Sequence, residues 1–469
     1  MDSVKTTRRF FLGAAATGAG IWVTGCAQPK PGAPVVQVHR AKGKYKANEK
    51  LNVAGVGCGG KGASDIIKCR KENVVALCDV DWNMMGEAIK VFPNAKKYHD
   101  YRIMFDEMAN QIDAITCSTP DHMHAPICVQ AMRMGKHVYC QKPLTWSVWE
   151  ARLMAQEAKA CNVATQMGNQ GTAHDGFRTA VEAIRSGVIG NVKEAHVWTN
   201  RPIWPQGKAR PKGSDAIPEN LEWDLWVGVA PMRPFKEKIY HPFAWRGWWD
   251  FGTGALGDMG CHTANMAYMA LELGSPTTAE AQNSGFDKDS FPTWSVITLE
   301  FPARKAKDGR NLPPVKWTWY DGGNDKPQWV HDRLKGLIEG ERYSGSGLIL
   351  IGDKGKLYSP NDYGAEMILL PRKDFEGYKP PTPTFERWGP GDIDQHQRDE
   401  WIRACKDPKK PALSNFGYAG PLTEVLLIGN IANYVGKKIE WDGTNCMVKN
   451  NPEANALVRR QYRKGWEQL

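Results

Sequence analysis

The sequence lacks the patterns that identify several common classes of protein. None of its 11 cysteines forms a Cys-x-x-Cys pair, and no His and Cys residues recur at zinc-ligand spacing, so we predict no metal site. It holds no internal repeat and no low-complexity block. Its 61 basic residues exceed its 51 acidic ones, but the two signs are interspersed. We therefore expect a soluble protein without a nucleic-acid partner.

What is present describes a globular chain. Its 469 residues are 42% hydrophobic and 24% charged, which is enough for two domains with their own cores. Several cysteines fall in or beside predicted core strands and helices, where buried free thiols are usual; they are Cys58, Cys78, Cys117, Cys128 and Cys140. A disulfide bridge between Cys405 and Cys446 stays open at this level.

The segment TTRRFFLGAAATGAGIWVTGCAQ, residues 6 to 28, has the order of an export signal. Arg8 and Arg9 precede an apolar run over residues 10 to 23, which is too short for a membrane span. The arginines and the Phe-Leu that follows resemble the twin-arginine signal, whose receptor passes folded proteins. The residues ending at Cys26 resemble a bacterial lipobox, which would make lipidated Cys26 the mature N-terminus. The alternative is an N-terminal anchor helix.

We predict a signal peptide over residues 1 to 26 and a linker containing Pro, Gly and Lys over residues 27 to 48. We expect a periplasmic protein whose contact with the membrane is limited to the lipid on Cys26.

A glycine motif follows a short apolar strand that begins at residue 51. Gly55, Gly57 and Gly60 fit G-x-G-x-x-G, in which the glycines permit a tight turn, the approach of a pyrophosphate, and close packing of helix on strand. Asp79 ends the next predicted strand, 19 positions after Gly60. A carboxylate there binds ribose hydroxyls and repels a 2′-phosphate, so the pattern predicts NAD rather than NADP. The alternative for Asp79 is a turn residue or helix cap.

Strands and helices then alternate through residues 113 to 120 and 136 to 145, which predicts a parallel, doubly wound sheet over residues 49 to 165. The segment STPDHMHAPICVQAMRMGKHVYCQKPLT resembles the Gfo/Idh/MocA family of oxidoreductases. The resemblance implies that Thr119, Pro120, His124 and Lys142 lie on the cofactor side. It also implies that Lys142 gives or takes a proton at the reacting hydroxyl. Gln141 stands where the family usually has glutamate.

The same resemblance implies the architecture of residues 166 to 469: an α+β domain with a large, mostly antiparallel open sheet, and C-terminal helices that pack back on the Rossmann domain. In GALGDMGCHTANMAYMAL, residues 254 to 271, Asp258 and His262 are four positions apart and share one helix face. They resemble the family's D-x-x-x-H signature, in which His262 would remove the hydroxyl proton. Asp258 would bind a substrate hydroxyl or orient His262; the alternative is a pair that serves only the helix surface.

A tryptophan-rich stretch holds seven indoles between residues 198 and 249, and indoles stack on the apolar faces of sugar rings. Tryptophans are also common in cores and interfaces. Charged and amide groups that could bind sugar hydroxyls lie on either side of this stretch and within it; they are Asn169, Gln170, Arg246 and Asp250.

Together these features predict an NAD-dependent oxidoreductase that acts on a hydroxyl of a sugar or sugar derivative and retains its NAD through folded export. We also expect a homo-oligomer. One alternative is an NAD-dependent glycoside hydrolase that oxidises C3 transiently, eliminates the aglycone, adds water and returns the hydride. A second is a non-catalytic sugar-binding protein on the same scaffold.

Overall fold

A computed structural model describes Tyr45 and residues 49–467. The predicted signal peptide, with Arg8, Arg9 and Cys26, and nearly all of the predicted linker lie outside the described residues. Within residues 49–467, no helix combines the length and the apolar character that crossing a membrane requires.

The first half of the chain forms a six-stranded parallel sheet with the order β3-β2-β1-β4-β5-β6. Its strands are β1 Asn52–Val56, β2 Asn73–Cys78, β3 Lys96–Tyr98, β4 Ala114–Cys117, β5 His137–Cys140 and β6 Thr165–Met167. The helices between them are α1 Lys61–Ile67, α2 Gly86–Val91, α3 Tyr101–Met108, α4 His124–Arg133 and α5 Val148–Ala160. The predicted doubly wound Rossmann sheet is therefore confirmed.

The central strands of this sheet are buried on both faces. Every residue of β4 and of β5 is buried, as expected when helices cover both sides of a parallel sheet. The strand order reverses between β1 and β4, and ligands of such folds bind at the carboxyl ends of the strands beside this point. The turns after β1, β2, β4 and β5 are therefore placed around one crevice.

The second half of the chain forms a nine-stranded sheet with the order β15-β14-β13-β7-β12-β9-β8-β16-β17. Strands β7 and β12 pair in parallel, and the other paired strands run antiparallel. The strands are β7 Val192–Trp198, β8 Thr278–Asn283, β9 Ser295–Phe301, β12 Val315–Tyr320, β13 Gly347–Gly352, β14 Lys356–Ser359, β15 Ile368–Leu370, β16 Ile439–Asp442 and β17 Met447–Val448, with a separate pair β10 Arg304–Lys305 and β11 Asn311–Leu312. This confirms the large, mostly antiparallel sheet.

Helices of the second half pack on one another and on the first sheet. They are α6 Asp175–Arg185, α7 Trp223–Val227, α8 Gly254–Thr263, α9 Asn265–Leu271, α10 Gln328–Leu337, α11 Ile393–Lys406, α12 Phe416–Val435 and α13 Pro452–Ala456. From α11, Arg398 donates to Asp65 of α1 at 2.9 Å, and the hydroxyl of Tyr139 on β5 donates to Gln397 at 2.8 Å. The C-terminal helices thus contact the same layer of the first domain that forms the crevice.

Among the described residues, Cys405 and Cys446 do not form a disulfide bridge. Cys405 is a buried free thiol in α11, so the bridge left open by the sequence is not formed. Cys58, Cys78, Cys117, Cys128 and Cys140 are also buried free thiols, as their positions in the pattern predicted.

Candidate active site

A cavity of about 470 Å³ lies at the carboxyl ends of the parallel strands. It is lined by residues of both halves of the chain, and nine of the residues predicted from sequence are among them: Gly57, Gly60, Asp79, Thr119, Pro120, Lys142, Gln170, Arg246 and His262. Residues more than 200 positions apart therefore meet in one site.

The glycine turn after β1 brings bare backbone to one end of this cavity. Gly57 has φ +73°, and a Cβ there would lie 2.7 Å from the backbone of Ser118 and Thr119. Gly55 has a packing role instead, since a Cβ would lie 2.7 Å from the sulfur of Cys58. Gly60, at φ +53°, has nothing within 4 Å of its missing Cβ and opens onto the cavity. The turn has the shape through which a pyrophosphate approaches backbone amides.

Asp79 follows β2 at the same end of the cavity. Its Oδ2 accepts the backbone N–H of Cys58 at 2.7 Å and its Oδ1 accepts that of Asp81 at 3.0 Å, and burial raises its pKa. His241, from the second half, lies with its Nε2 2.8 Å from Asp81 Oδ2 and also lines the cavity. The carboxylate and the glycine turn therefore fit the ribose and the pyrophosphate of a dinucleotide.

His124 connects two turns of the cavity wall without lining the cavity itself. Its Nδ1 lies 2.8 Å from the carbonyl oxygen of Pro143, and its Nε2 lies 2.8 Å from that of Thr119. The ring is fully buried. His124 thus holds the turns after β4 and β5 together, one of which carries Thr119 and Pro120 and the other Lys142.

Lys142 forms an ion pair across the two halves of the chain. Its Nζ donates to Asp258 Oδ1 at 2.7 Å and to the carbonyl oxygen of Asp258 at 3.0 Å. Arg246 Nε donates to the same Oδ1 at 3.3 Å, and its guanidinium stacks 4.3 Å from the ring of Trp245. Burial raises the pKa of Asp258, but the charges of Lys142 and Arg246 outweigh it and lower that pKa to about 2. Two cations therefore share one carboxylate beside the cavity.

His262 lies one helical turn after Asp258 on α8 and lines the cavity. Burial and the nearby charge of Lys142 lower its pKa to about 3, so the imidazole is neutral at physiological pH. Its buried Nδ1 has no hydrogen-bond partner among the described residues. The carboxylate of Asp258 bonds Lys142 and Arg246, so the expected orientation of His262 by Asp258 is not what the structure shows.

Two residues predicted to contact the substrate do not line the cavity. Asn169 is fully buried and its amide donates to the carbonyl oxygen of Cys261 at 3.3 Å. Asp250 accepts a hydrogen bond from Arg233 Nε at 2.8 Å. Neither residue lines the cavity, and a sequence shows only that polar groups are present, not which way they face. Gln170 does line it, and its amide donates to the hydroxyl of Tyr363 at 3.2 Å.

Tryptophans form part of the cavity wall. Trp226, Trp245 and Trp466 line the cavity, and the first two also belong, with Trp248, to a buried aromatic cluster. Trp249 contacts Tyr434 at 4.6 Å between ring centroids. Trp466 lies far outside the tryptophan-rich stretch, and nothing in its local sequence indicates this position.

The spacing of residues in the sequence did not indicate two sets of buried side chains near the site. Asp121, on the cavity wall, accepts from Thr253 Oγ1 at 2.7 Å, and burial raises its pKa to about 6. The sulfurs of Cys117, Cys128 and Cys140 lie within 4.8 Å of one another beneath the turns after β4 and β5. No further His, Cys, Asp or Glu of the described chain joins them, whereas structural zinc takes four ligands.

Two family sequence models match this chain in succession. The model of the NAD-binding Rossmann fold of the oxidoreductase family matches residues 51–169, and the model of its C-terminal alpha/beta domain matches residues 162–311. Together they span residues 51–311, which is more than half of the 469 residues.

Similar proteins include several that act on sugars or polyols by name. Levoglucosan dehydrogenase of Pseudarthrobacter phenanthrenivorans is 24% identical over 191 residues, 41% of this chain and 40% of that one. The 2,7-anhydro-N-acetylneuraminate hydratase of Escherichia coli is 28% identical over 99 residues, 21% of this chain and 26% of that one. The matched segments thus span less than half of either relative.

A solved structure shares the fold over most of both chains. The inositol dehydrogenase homolog of Azotobacter vinelandii, in complex with NADH and myo-inositol, has a TM-score of 0.54 at 15% identity and covers 84% of this chain and 98% of its own. With the glycine turn, Asp79 and the two consecutive family matches, this chain belongs to the Gfo/Idh/MocA family of oxidoreductases, and its first domain is an NAD-binding Rossmann domain.

Proposed function

We propose that the protein is an NAD-dependent dehydrogenase that oxidises a hydroxyl group of a sugar or sugar derivative. The observation that carries the proposal is that Lys142, paired with Asp258, and His262 line the same cavity as the glycine turn. NAD bound there supplies a hydride acceptor. An acid–base group next to the acceptor is what oxidation of an alcohol requires.

The side chains divide the proton chemistry among them. His262 is neutral at physiological pH and accepts the hydroxyl proton of the substrate. The ammonium of Lys142 stabilises negative charge that develops on the substrate oxygen. Asp258, ionised because its pKa is lowered to about 2, holds Lys142 in place through a 2.7 Å hydrogen bond. Asp258 is thereby a positioning residue for Lys142.

The wall of the cavity suits a polyhydroxylated ring. Trp226 and Trp245 supply indole surface, and Gln170 and Arg246 supply polar groups beside it. The names of levoglucosan dehydrogenase and of the inositol dehydrogenase homolog support a sugar or cyclic polyol as the substrate class.

Export supplies the cellular context of the proposal. We propose that the protein is exported by the twin-arginine route with NAD already bound. A protein keeps a bound cofactor during export when it is transported in the folded state, and this route transports folded proteins. Replacement of Arg8 and Arg9 by lysine should leave the protein in the cytoplasm, and Cys26→Ser should release it from the membrane fraction. A wild-type distribution of the variant with Arg8 and Arg9 replaced would contradict the export signal. A wild-type distribution of Cys26→Ser would contradict the lipobox.

The direct test uses purified full-length protein in two steps. The denatured protein is analysed by absorbance and mass spectrometry for NAD that has co-purified, which establishes cofactor and retention together. Native protein is then mixed with sugars, cyclic polyols and glycosides while nicotinamide reduction is followed. We expect the wild-type protein to reduce its NAD with at least one hydroxylated ring, and Lys142→Met to do so at least about 10²-fold more slowly. No reduction by any member of the panel, with NAD bound, would favour a non-catalytic sugar-binding protein.

The second candidate is a redox-neutral glycoside hydrolase, which the name of the hydratase relative favours because that reaction has no net oxidation. A chromogenic glycoside separates the two. A hydrolase releases the chromophore for many turnovers without an added acceptor and incorporates solvent deuterium at C2. A dehydrogenase reduces each bound NAD about once and then stops until a carbonyl acceptor is supplied.

A further inference from the structure

Asp65 on α1 is a fully buried carboxylate that ties together the turns around the cavity. Its Oδ2 accepts from Ser118 Oγ at 2.8 Å and from Gln141 Nε2 at 2.7 Å. Ser118 precedes Thr119 after β4, and Gln141 precedes Lys142 after β5. One carboxylate thus links the helix after the glycine turn to the ends of two neighbouring strands.

The other oxygen of Asp65 faces two cations. Arg398 Nη2 of α11 donates to Oδ1 at 2.9 Å, and Lys61 Nζ lies 3.2 Å from the same atom. The guanidinium of Arg398 is buried and lies 3.2 Å from the centre of the Tyr139 ring. A buried charge is costly unless it is paired and hydrogen-bonded, and every contact of Asp65 here is with a donor.

Gln141 completes this arrangement because its side chain is an amide. Its Nε2 donates to Asp65, while its Oε1 accepts the backbone N–H of Lys142 at 3.2 Å. A carboxylate at position 141 could keep only the second contact and would face Asp65 Oδ2 without a proton to share. Gly168 packs closely against the Gln141 amide, because a Cβ added at Gly168 would lie 2.7 Å from it.

We propose that Asp65 is a positioning residue of the active site and that its charge requires an amide at position 141. Through its two hydrogen bonds, Gln141 links the carboxylate of Asp65 to the backbone of Lys142. This inference rests on the cavity being the NAD site and does not depend on which substrate is used.

The first test is Gln141→Glu. It places a second carboxylate 2.7 Å from Asp65 without adding a cation, so one of the two must hold a proton in the folded protein. A group whose folded pKa is raised costs stability as pH rises above its unfolded pKa of about 4.3. We expect the unfolding temperature of Q141E to fall below wild type by about 4 °C or more at about pH 8, and by less at about pH 5.

The second test exchanges the two groups. By itself, Asp65→Asn should lower the unfolding temperature, because it leaves the buried guanidinium of Arg398 and the ammonium of Lys61 without their carboxylate. In the D65N background, Gln141→Glu again gives one amide facing one carboxylate, so it should lower the unfolding temperature by at most about half of what it costs in wild type. Asn430→Asp is the matched control. Asn430 is a buried amide of α12 that donates to the carbonyl oxygen of Thr253 at 2.7 Å rather than to Asp65 or its partners, so N430D should cost the same unfolding temperature in wild type and in D65N.

If Q141E does not fold at neutral pH, Gln141→Met keeps the proposal testable, because it removes the donor without adding a charge. We expect Q141M to unfold within a few degrees of wild type and to bind NADH, followed by its fluorescence, at least about threefold more weakly. Wild-type stability of Q141E at about pH 8, an equal cost of Gln141→Glu in wild type and in D65N, or wild-type NADH affinity of Q141M would each overturn the proposal. All three measurements are independent of substrate turnover.

Discussion

The Nζ of Lys142 lies 2.7 Å from Oδ1 of Asp258, 116 residues later in the chain. Lys142 follows a strand of the parallel sheet, and Asp258 lies on a helix of the second half. The ion pair therefore forms only when the two halves pack together. Because Arg246 contacts the same oxygen, the carboxylate organises both cations at one side of the cavity.

Lys142→Met should lower turnover by about 10²-fold or more while the protein keeps its bound NAD. The variant retains the bulk of the side chain but loses the charge that stabilises the substrate oxygen. Turnover and the NAD content of the denatured protein are the measurements, with Lys159→Met on the exposed surface of α5 as the control. Turnover near the wild-type level would remove Lys142 from the chemistry.

His262 should not limit the rate on the acid side of neutrality. Its pKa of about 3 keeps it neutral, and so able to accept a proton, throughout the range from about pH 5 to 8. The Lys142→Met variant lacks one of the charges that lower the pKa of His262, so this pKa should be higher than in wild type. As the pH is lowered, the residual activity of the variant should therefore be lost at a higher pH.

His262→Ala should lower turnover by about 10²-fold or more with NAD still bound. A wild-type rate that falls with a pKa near 6.5 would contradict the assignment.

Gly57→Ala should prevent normal binding of NAD. Gly57 has φ +73°, and the added Cβ would lie 2.7 Å from the backbone of Ser118 and Thr119, so the turn must move. We expect a loss of about 1–3 kcal/mol in stability and most of the bound NAD. Gly86→Ala is the control, since nothing lies within 4 Å of its Cβ position. If the two variants retained NAD equally, the glycine turn would not be the pyrophosphate site.

Asp79→Ala should reduce the preference for NAD over NADP. The carboxylate at the end of β2 lines the cavity, where we expect it to bind the ribose hydroxyls and to repel a 2′-phosphate. Titration of apo-protein with NADH and NADPH, followed by fluorescence, measures both affinities, and Asp106→Ala on the exposed side of α3 is the control. Tighter binding of NADPH than NADH by wild-type protein would show that the ribose assignment is wrong.

Stability should fall as pH decreases from about 6.5, in part through His137. Burial lowers its pKa to about 4, so below the unfolded pKa of about 6.5 the unfolded chain binds a proton that the folded protein does not. His137→Asn keeps an acceptor for the backbone N–H of Ala164 but cannot titrate. Relative to H137N, wild type should lose about 2 kcal/mol between about pH 7.5 and 4.5 in urea unfolding. An unchanged difference between the two proteins would contradict this.

Local patterns in the sequence were enough to predict the first domain. Gly55, Gly57, Gly60 and Asp79 are separated by short distances along the chain, and their roles depend on backbone geometry that such spacing determines. Apolar runs alternating with helical patterns predicted the parallel sheet for the same reason. The alternation did not reveal that Asp65, inside the first helix, would become the acceptor for two strand-end turns.

The pairing within the site could not be predicted in this way. The sequence places Asp258 and His262 on one helix face, and that spacing suggests a partnership between them. In the structure Asp258 bonds Lys142 and Arg246, because a buried carboxylate takes the nearest strong donors whatever their distance along the chain. Polarity and position suggest Asn169 and Asp250 as substrate contacts, yet neither residue lines the cavity.

The sequence by itself determined the family, the Rossmann topology and the identity of the residues that carry charge near the cofactor, because these depend on local spacing and hydrophobic periodicity. Only the tertiary structure decided which of those charges meet, which polar groups face the cavity, and why an amide stands at Gln141. The physical reason is that hydrogen bonds and ion pairs in a buried site are chosen by distance in space, and the packing of the two halves sets that distance.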